Sequence, residues 1–274
     1  MHRSVRVGAL AAALLLLGGC GLGPHPTSPV PRTGTYEPPR LGTLSPVVGA
    51  MPAPYESVCR SMVYRKYVFV FGASYVSSGA LLEDDMLLTA GHNYASPHAP
   101  FSVVRDRSVE CGPGVAMESS PWWRVEGGFD RGDQVRHPAG FSAFDWARDY
   151  ALVALGVRAS RSSSFRLPRP GEILVAKDDT IFIAGYPAED PKTGSILYHG
   201  RAKVTEVSES VIVYDLNTEK GLSGAPVWVE RNGEFVLVGV HVGEGKQGEA
   251  KAHRLTDASL QNLAAWRAEF RRTR

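Results

Sequence analysis

Short apolar runs separated by turn residues fill the sequence after residue 65, and they restrict the possible folds more than any other feature. Most runs are short and rich in Val, Ile, Leu, Tyr and Phe, which is typical of strands. The clearest are KYVFVFG, DMLLTAG, DYALVAL, TIFIAGYP, SVIVYDL, GAPVWVE and EFVLVGVHVG. No helical pattern alternates with them, as a parallel α/β sheet would require. With 29 Gly and 19 Pro available for turns, the sequence predicts an all-β fold.

Two segments divide the β-rich part of the chain. RASRSSSFRLPRPG, residues 158–171, is polar and proline-containing, and it predicts a connection between two β halves at about 60–160 and 172–255. The end of the chain has a different period, with Leu260, Leu263, Trp266 and Phe270 spaced by three and four residues. This spacing predicts an amphipathic helix at about 257–272, capped by Thr256 or Asp257.

The N-terminal residues have the composition of an export signal. His2, Arg3 and Arg6 precede an apolar run from Val7 to Leu17, which predicts a signal peptide over residues 1–19. The following Leu-Gly-Gly-Cys resembles the lipobox of bacterial lipoproteins. That resemblance implies cleavage before Cys20 and lipid attachment to Cys20, whereas ordinary secretion would leave this cysteine without a role.

The next segment, residues 20–56, is rich in proline and shows no strand or helix period, so it predicts an extended tether. A domain over residues 57–274 would then stand off from a membrane surface to which Cys20 is anchored. The expected location is the bacterial cell envelope, or the extracellular medium after release.

The cysteine count fits an exported chain. There are three cysteines, and if Cys20 carries lipid, Cys59 and Cys111 remain. These two can form a disulfide in an oxidising compartment or stay as free thiols.

The charge is nearly balanced, with 30 Lys and Arg against 28 Asp and Glu, so no nucleic-acid partner is expected. No H-E-x-x-H motif is present and the histidines are scattered, so we expect no metal; a monomer without a cofactor is the simplest expectation.

Three residues have the chemistry and context of a nucleophilic triad. Ser223 lies between two glycines in GLSGAP, where a tight turn exposes a hydroxyl. A serine hydroxyl needs a base and the base needs an orienting acid. His92 follows an apolar strand in LLTAGHNY and is the candidate base. Asp149, directly before the apolar strand YALVAL, is the candidate acid, with Asp145 as the competitor.

The segments LLTAGH, DYALV and GLSGAPV occur in this order and resemble the trypsin-like serine peptidases, whose triad runs His, Asp, Ser. VRHPAGF before the Asp segment supports the resemblance. AGYP at 184–187 and YDLNTEKGLSGAP resemble the glutamyl-endopeptidase branch of bacterial secreted members. The resemblance covers about residues 60–270.

The resemblance implies two antiparallel β-barrels followed by a C-terminal helix, with the active site between the barrels. His92 and Asp149 would come from the first barrel and Ser223 from the second. The implied activity is a serine endopeptidase that cleaves protein or peptide substrates through an acyl-enzyme. The N–H groups of Gly221 and Ser223 would face the developing oxyanion. Leu222 replaces the aspartate of the digestive members, which implies a turn held by packing rather than by an N-terminal amine.

The glutamyl-endopeptidase branch binds the substrate side chain with a histidine and a hydroxyl. Thr218, five residues before Ser223, and His241 in VGVHVG match these positions. An imidazole and a hydroxyl can bind a carboxylate by charge-assisted hydrogen bonds, which predicts cleavage after Glu or Asp. The alternative is a catalytically inactive trypsin-like binding module on the cell surface.

Overall fold

The computed structural model describes residues 36–48, 52–67, 72–83, 85–94, 102–111, 134–142, 145–155, 163–188, 194–245 and 248–273. Antiparallel strands dominate these ranges, and one α-helix ends them, which confirms the predicted all-β class with a C-terminal helix. The strands are β1 (Ser45–Pro46), β2 (Val58–Tyr67), β3 (Gly72–Glu83), β4 (Met86–Thr89), β5 (Ser102–Cys111), β6 (Val135–Arg136), β7 (Ala151–Ala154), β8 (Phe165–Arg166), β9 (Thr180–Gly185), β10 (Tyr198–Val207), β11 (Val211–Asp215), β12 (Pro226–Arg231), β13 (Glu234–Glu244) and β14 (Glu249–Arg254). The helix is α1 (Asp257–Arg272).

The N-terminal half forms a six-stranded antiparallel sheet in the order β5-β2-β3-β4-β7-β6. The whole of β4 and β7 is buried, because their apolar runs MLLT and ALVA face other chain segments on both sides. Cys59 on β2 lies opposite Cys111 on β5, and the two form the predicted disulfide across a Cα–Cα distance of 3.9 Å. This bond joins two strands that are 52 residues apart in sequence.

The C-terminal half forms a closed barrel. The strands follow one another as β10-β11-β14-β13-β12-β9, and β9 pairs again with β10. The β12–β13 hairpin turns at Asn232 and Gly233, whose φ angles of 53° and 78° belong to the left-handed region that Asn-Gly turns use. Strand β3 of the N-terminal sheet lies against β9 and β12 of the barrel, so the two halves meet along these strands.

Helix α1 begins where the sequence predicts. Thr256 is the N-cap: its side chain accepts from the Ser259 N–H, and the Ser259 side chain accepts from the Thr256 N–H. Leu263 and Phe270 are buried, and Trp266 packs against Tyr150 of the N-terminal half. The helix thus follows the barrel in sequence but packs against the other half of the fold.

Part of the segment assigned to the tether packs on the barrel. Strand β1 pairs with β10, and Val47 is buried after it. Tyr55 is also buried; its ring meets Trp228 edge-on and its hydroxyl lies 2.9 Å from Nδ1 of His199. Strand pairing with a distant β10 provides the order that a proline-rich segment does not have by itself. The packed structure therefore starts within the predicted tether.

The predicted signal peptide, Cys20 and the tether up to residue 35 lie outside the described residues. Within the described ranges, no helix combines the length and apolarity needed to cross a bilayer.

Candidate active site

His92 and Asp149 reach the same end of the N-terminal sheet because their strands are paired. His92 lies in a 3-10 turn (Gly91–Asn93) just after β4, and Asp149 lies just before β7. Strands β4 and β7 are antiparallel with Thr89 opposite Ala151, so the end of one strand adjoins the start of the other. Two residues 57 positions apart in sequence are thereby brought into contact.

The Asp149 carboxylate holds His92 at two points. Oδ2 of Asp149 lies 2.6 Å from Nδ1 of His92, and Oδ1 accepts the backbone N–H of His92 at 2.9 Å. The Asp149 side chain is only 2% exposed, whereas the His92 side chain is 32% exposed. An ionised carboxylate only accepts hydrogen bonds, so it places the imidazole proton on Nδ1 and leaves the Nε2 lone pair available as a base.

Asp145, the competing acid, is engaged elsewhere. Its Oδ2 accepts from Nε of Arg148 at 2.5 Å in an ion pair near the surface. The structure therefore brings His92 into contact with Asp149, while Asp145 pairs with Arg148.

Ser223 lies in the turn that precedes β12, and this turn contacts the His92 turn of the N-terminal half. Its carbonyl accepts from the Ser78 N–H at 2.9 Å and from Nδ2 of Asn93 at 3.0 Å. Asn93 directly follows His92 and also donates to Oγ1 of Thr89. The same side chain thus links the turn of the candidate base to the turn of the candidate nucleophile.

The glycines around Ser223 are required by close approach. Gly221 has a φ of +94° and Gly224 a φ of +89°, both in the left-handed region. A Cβ on Gly224 would clash with the Ser78 carbonyl and with Thr89, and a Cβ on Gly221 would clash with the Tyr186 carbonyl. The Gly-x-Ser-Gly pattern therefore lets the barrel turn touch the N-terminal sheet.

The candidate oxyanion donors lie in this turn. The neighbouring N–H groups are bonded, Leu222 to the Glu219 carbonyl and Gly224 to the His241 carbonyl. Among the described residues, no acceptor is bonded to the N–H groups of Gly221 or Ser223. These two amides therefore remain the candidate donors to a developing oxyanion.

Ser78 on β3 is a site residue that sequence reasoning missed. Its Oγ donates to the Gly221 carbonyl at 2.8 Å and accepts from the Tyr186 N–H at 2.9 Å. The Ser78 N–H also donates to the Ser223 carbonyl. Ser78 therefore holds the turn at both Gly221 and Ser223, where the sequence predicts a turn held by packing. Leu222 is fully buried, so packing contributes as well. A serine within the apolar run VSSGALL was the signal available in the sequence.

We expect Ser78→Ala to lower kcat by about 10- to 100-fold, because a small displacement of catalytic groups has an effect of that size. The variant leaves a buried carbonyl and a buried N–H without their shared partner, which costs about 1–3 kcal/mol of stability. Peptide-cleavage kinetics and thermal unfolding measure the two effects. Ser77→Ala is the matched control, since Ser77 is buried on the same strand but donates to Ser61. Equal kcat in both variants and the wild type would contradict the role of Ser78.

His241 lies on the barrel strand that adjoins the Ser223 turn. Its N–H donates to the Ala225 carbonyl at 2.9 Å, and its carbonyl accepts from Gly224. Burial, and to a smaller degree the nearby His92, lowers the pKa of His241 to about 3, while the Lys251 carbonyl acts in the opposite direction. The imidazole is therefore neutral at ordinary pH, with its Nδ1 lying 2.7 Å from the Tyr214 hydroxyl.

Thr218 is 3% exposed, and its Oγ1 has no hydrogen-bond partner in the part of the chain that the structure describes. It makes no direct hydrogen bond with His241. A buried hydroxyl without a partner is costly unless a ligand supplies one. Glu244, which follows Gly243 at the end of β13, is exposed to solvent.

Comparisons with known proteins agree with this geometry. A family model described as "Trypsin-like peptidase domain" matches residues 77–240, more than half of the chain. Glutamyl endopeptidases of Staphylococcus aureus strains MRSA252 and MW2 are 23% and 24% identical over 175 residues. The matched region is 62% of this chain and 43% and 47% of theirs, so the chain spans about half the length of the curated relatives it matches.

Solved structures show the same fold. A Glu endopeptidase in complex with MPD superimposes with a TM-score of 0.57 at 21% identity, covering 82% of this chain and 96% of that one. The protease Anisep from Arthrobacter nicotinovorans has a TM-score of 0.56 at 15% identity, covering 79% and 98%. The resemblance inferred from the sequence motifs is confirmed by the family match and by these structural neighbours. The chain belongs to the trypsin-like peptidase family.

Proposed function

We propose that the protein is a serine endopeptidase that cleaves peptide bonds through an acyl-enzyme. The observation that carries the proposal is the contact between the His92 turn and the Ser223 turn, where the two halves of the fold meet. A buried Asp149 holds His92, and Asn93 of the same turn holds the carbonyl of Ser223. These contacts support His92 as the base, Asp149 as its orienting acid and Ser223 as the nucleophile of one site.

The reaction follows from the proton positions. Oγ of Ser223 attacks the substrate carbonyl while Nε2 of His92 takes its proton, and Asp149 stabilises the imidazolium that forms. The N–H groups of Gly221 and Ser223 donate to the developing oxyanion. His92 then returns the proton to the leaving amine, and the acyl group stays on Ser223. Water, deprotonated by His92, hydrolyses the ester and restores the enzyme.

A fluorophosphonate probe separates this proposal from an inactive binding module. The probe forms a covalent bond only with an activated serine. Labelling of the folded protein at Ser223, identified by mass spectrometry, supports the peptidase. A folded protein that takes up no label and cleaves no peptide would support the binding module instead.

The proposed substrate preference is Glu, or Asp, on the acyl side of the cleaved bond. Two observations support it: the unpartnered, buried hydroxyl of Thr218 and the neutral imidazole of His241 beside the Ser223 turn. Both can donate to a substrate carboxylate, and hydrogen bonds to a charged acceptor are the stronger kind. Glu244 lies three residues after His241, and a carboxylate near the pocket would repel an acidic substrate. Because Glu244 is exposed, water weakens this repulsion.

We expect a peptide with Glu on the acyl side to be cleaved at least about 10-fold more efficiently than the same peptide with Gln, because a charged acceptor adds roughly 1.5 kcal/mol. The measurement is kcat/KM on the two peptides, with an Asp peptide as a third. Equal kcat/KM for Glu and Gln would contradict the preference without affecting the peptidase assignment.

The proposed location is the cell envelope, with a lipid anchor at Cys20. The support comes from the N-terminal sequence and from the disulfide between Cys59 and Cys111, which suits an oxidising compartment. Mass spectrometry of the mature N-terminus tests it: a lipid-modified Cys20 is the expected result, and an unmodified N-terminus elsewhere would exclude the anchor.

A further inference from the structure

Tyr214 and His241 meet inside the barrel across an intervening strand. Tyr214 on β11 lies opposite Ala250 of β14, and His241 on β13 lies opposite Ala252 of the same strand. Both alanines are fully buried and too small to separate the two larger side chains. The Tyr214 hydroxyl therefore reaches Nδ1 of His241 at 2.7 Å, with the ring centroids 6.2 Å apart.

The bond has a preferred direction. Burial raises the pKa of Tyr214 well above its usual value, so the phenol keeps its proton, and the buried imidazole of His241 is neutral. Within the described residues, the Tyr214 hydroxyl has no other hydrogen-bond partner. If Nδ1 were the donor, the phenol O–H would be buried without an acceptor, which is costly. The favoured arrangement has Tyr214 donating to Nδ1.

The direction of this bond decides what His241 can offer a ligand. A neutral imidazole carries one proton, and if Nδ1 accepts, the proton is on Nε2. A substrate carboxylate is a strong acceptor, so it can take this N–H. In the other tautomer, Nε2 would present a lone pair and would repel the carboxylate.

We propose that Tyr214 fixes His241 in the tautomer that donates to a substrate carboxylate, and that it is thereby a positioning residue for cleavage after Glu. This inference rests on the Glu preference proposed above. It adds a residue, Tyr214, that does not contact the substrate. Tyr214 determines whether His241, which does contact the substrate, acts as a hydrogen-bond donor.

The test compares wild type with Tyr214→Phe on two peptides that differ only in Glu or Gln on the acyl side. We expect the Glu to Gln ratio of kcat/KM to fall about tenfold, the effect of losing a hydrogen bond to a charged group. Activity on the Gln peptide should stay within about twofold, since an amide can donate or accept and so tolerates either tautomer.

Tyr55→Phe is the matched control. It removes a tyrosine hydroxyl that is also bonded to a buried imidazole, that of His199, at 2.9 Å. We expect a similar loss of thermal stability and an unchanged Glu to Gln ratio. An unchanged ratio in Tyr214→Phe, or an equal fall in Tyr55→Phe, would overturn the inference. If the wild type showed no preference for Glu, both this inference and the proposed Glu preference would be wrong. The peptidase assignment would still be tested independently by fluorophosphonate labelling of Ser223.

A second measurement needs no variant. The ¹⁵N shifts of histidine-labelled wild-type protein distinguish the two neutral tautomers directly. A proton on Nε2 of His241 is the expected result, and a proton on Nδ1 would refute the inference even if Tyr214→Phe fails to fold.

Discussion

Replacing Ser223 by alanine is expected to lower kcat by ~10⁶-fold, because loss of the nucleophile removes the covalent route entirely. The fold should survive the change. The hydrogen bonds that hold the turn, from Ser78 and Asn93, are accepted by the Ser223 carbonyl, which alanine retains. Peptide-cleavage kinetics give the activity, and thermal unfolding monitored by circular dichroism gives the stability.

Ser208→Ala is the matched control for this experiment. Ser208 lies in the exposed turn between β10 and β11, where its hydroxyl bonds to the backbone of nearby Val211. If Ser208→Ala is fully active and Ser223→Ala is inactive, the loss of peptide cleavage is due to removal of the Ser223 hydroxyl. If Ser223→Ala kept measurable activity or still reacted with a fluorophosphonate, the nucleophile would be a different residue.

Asp149→Asn is expected to lower kcat by ~10⁴-fold with little loss of structure. Asparagine is the same size and can keep one oxygen on the backbone N–H of His92. Its NH₂ group would then face Nδ1 as a donor, so the imidazole proton would move to Nε2. The base would lose the lone pair that takes the serine proton. The measurement is kcat on a peptide substrate at neutral pH.

Asp145→Asn provides the comparison for Asp149→Asn. It makes the same chemical change four residues earlier, in a carboxylate paired with Arg148 near the surface. A surface ion pair contributes little to stability, so we expect kcat within about threefold of wild type. A large loss in Asp145→Asn with none in Asp149→Asn would reverse the assignment of the acid.

Much of the fold was readable from local patterns. The all-β class follows from short apolar runs, and the start of α1 follows from its cap and period, as the structure confirms at Thr256 and Asp257. The sequence favoured Asp149 over Asp145 because only Asp149 directly precedes an apolar strand, and the pairing of β4 with β7 brings Asp149 to His92. The turn at Ser223 was expected to be held by packing, and the structure adds the hydrogen bonds from Ser78 and Asn93.

By itself, the sequence determined which residue types stand next to which strands: His92 after β4, Asp149 before β7, and Ser223 between two glycines. These are local relations, set by periodicity and by the backbone freedom of glycine. Only the tertiary structure decided which distant groups meet. Ser78 reaches the Ser223 turn, Tyr214 reaches His241, and β1 pairs with β10, because strand pairing and barrel closure bring together atoms that no local pattern relates.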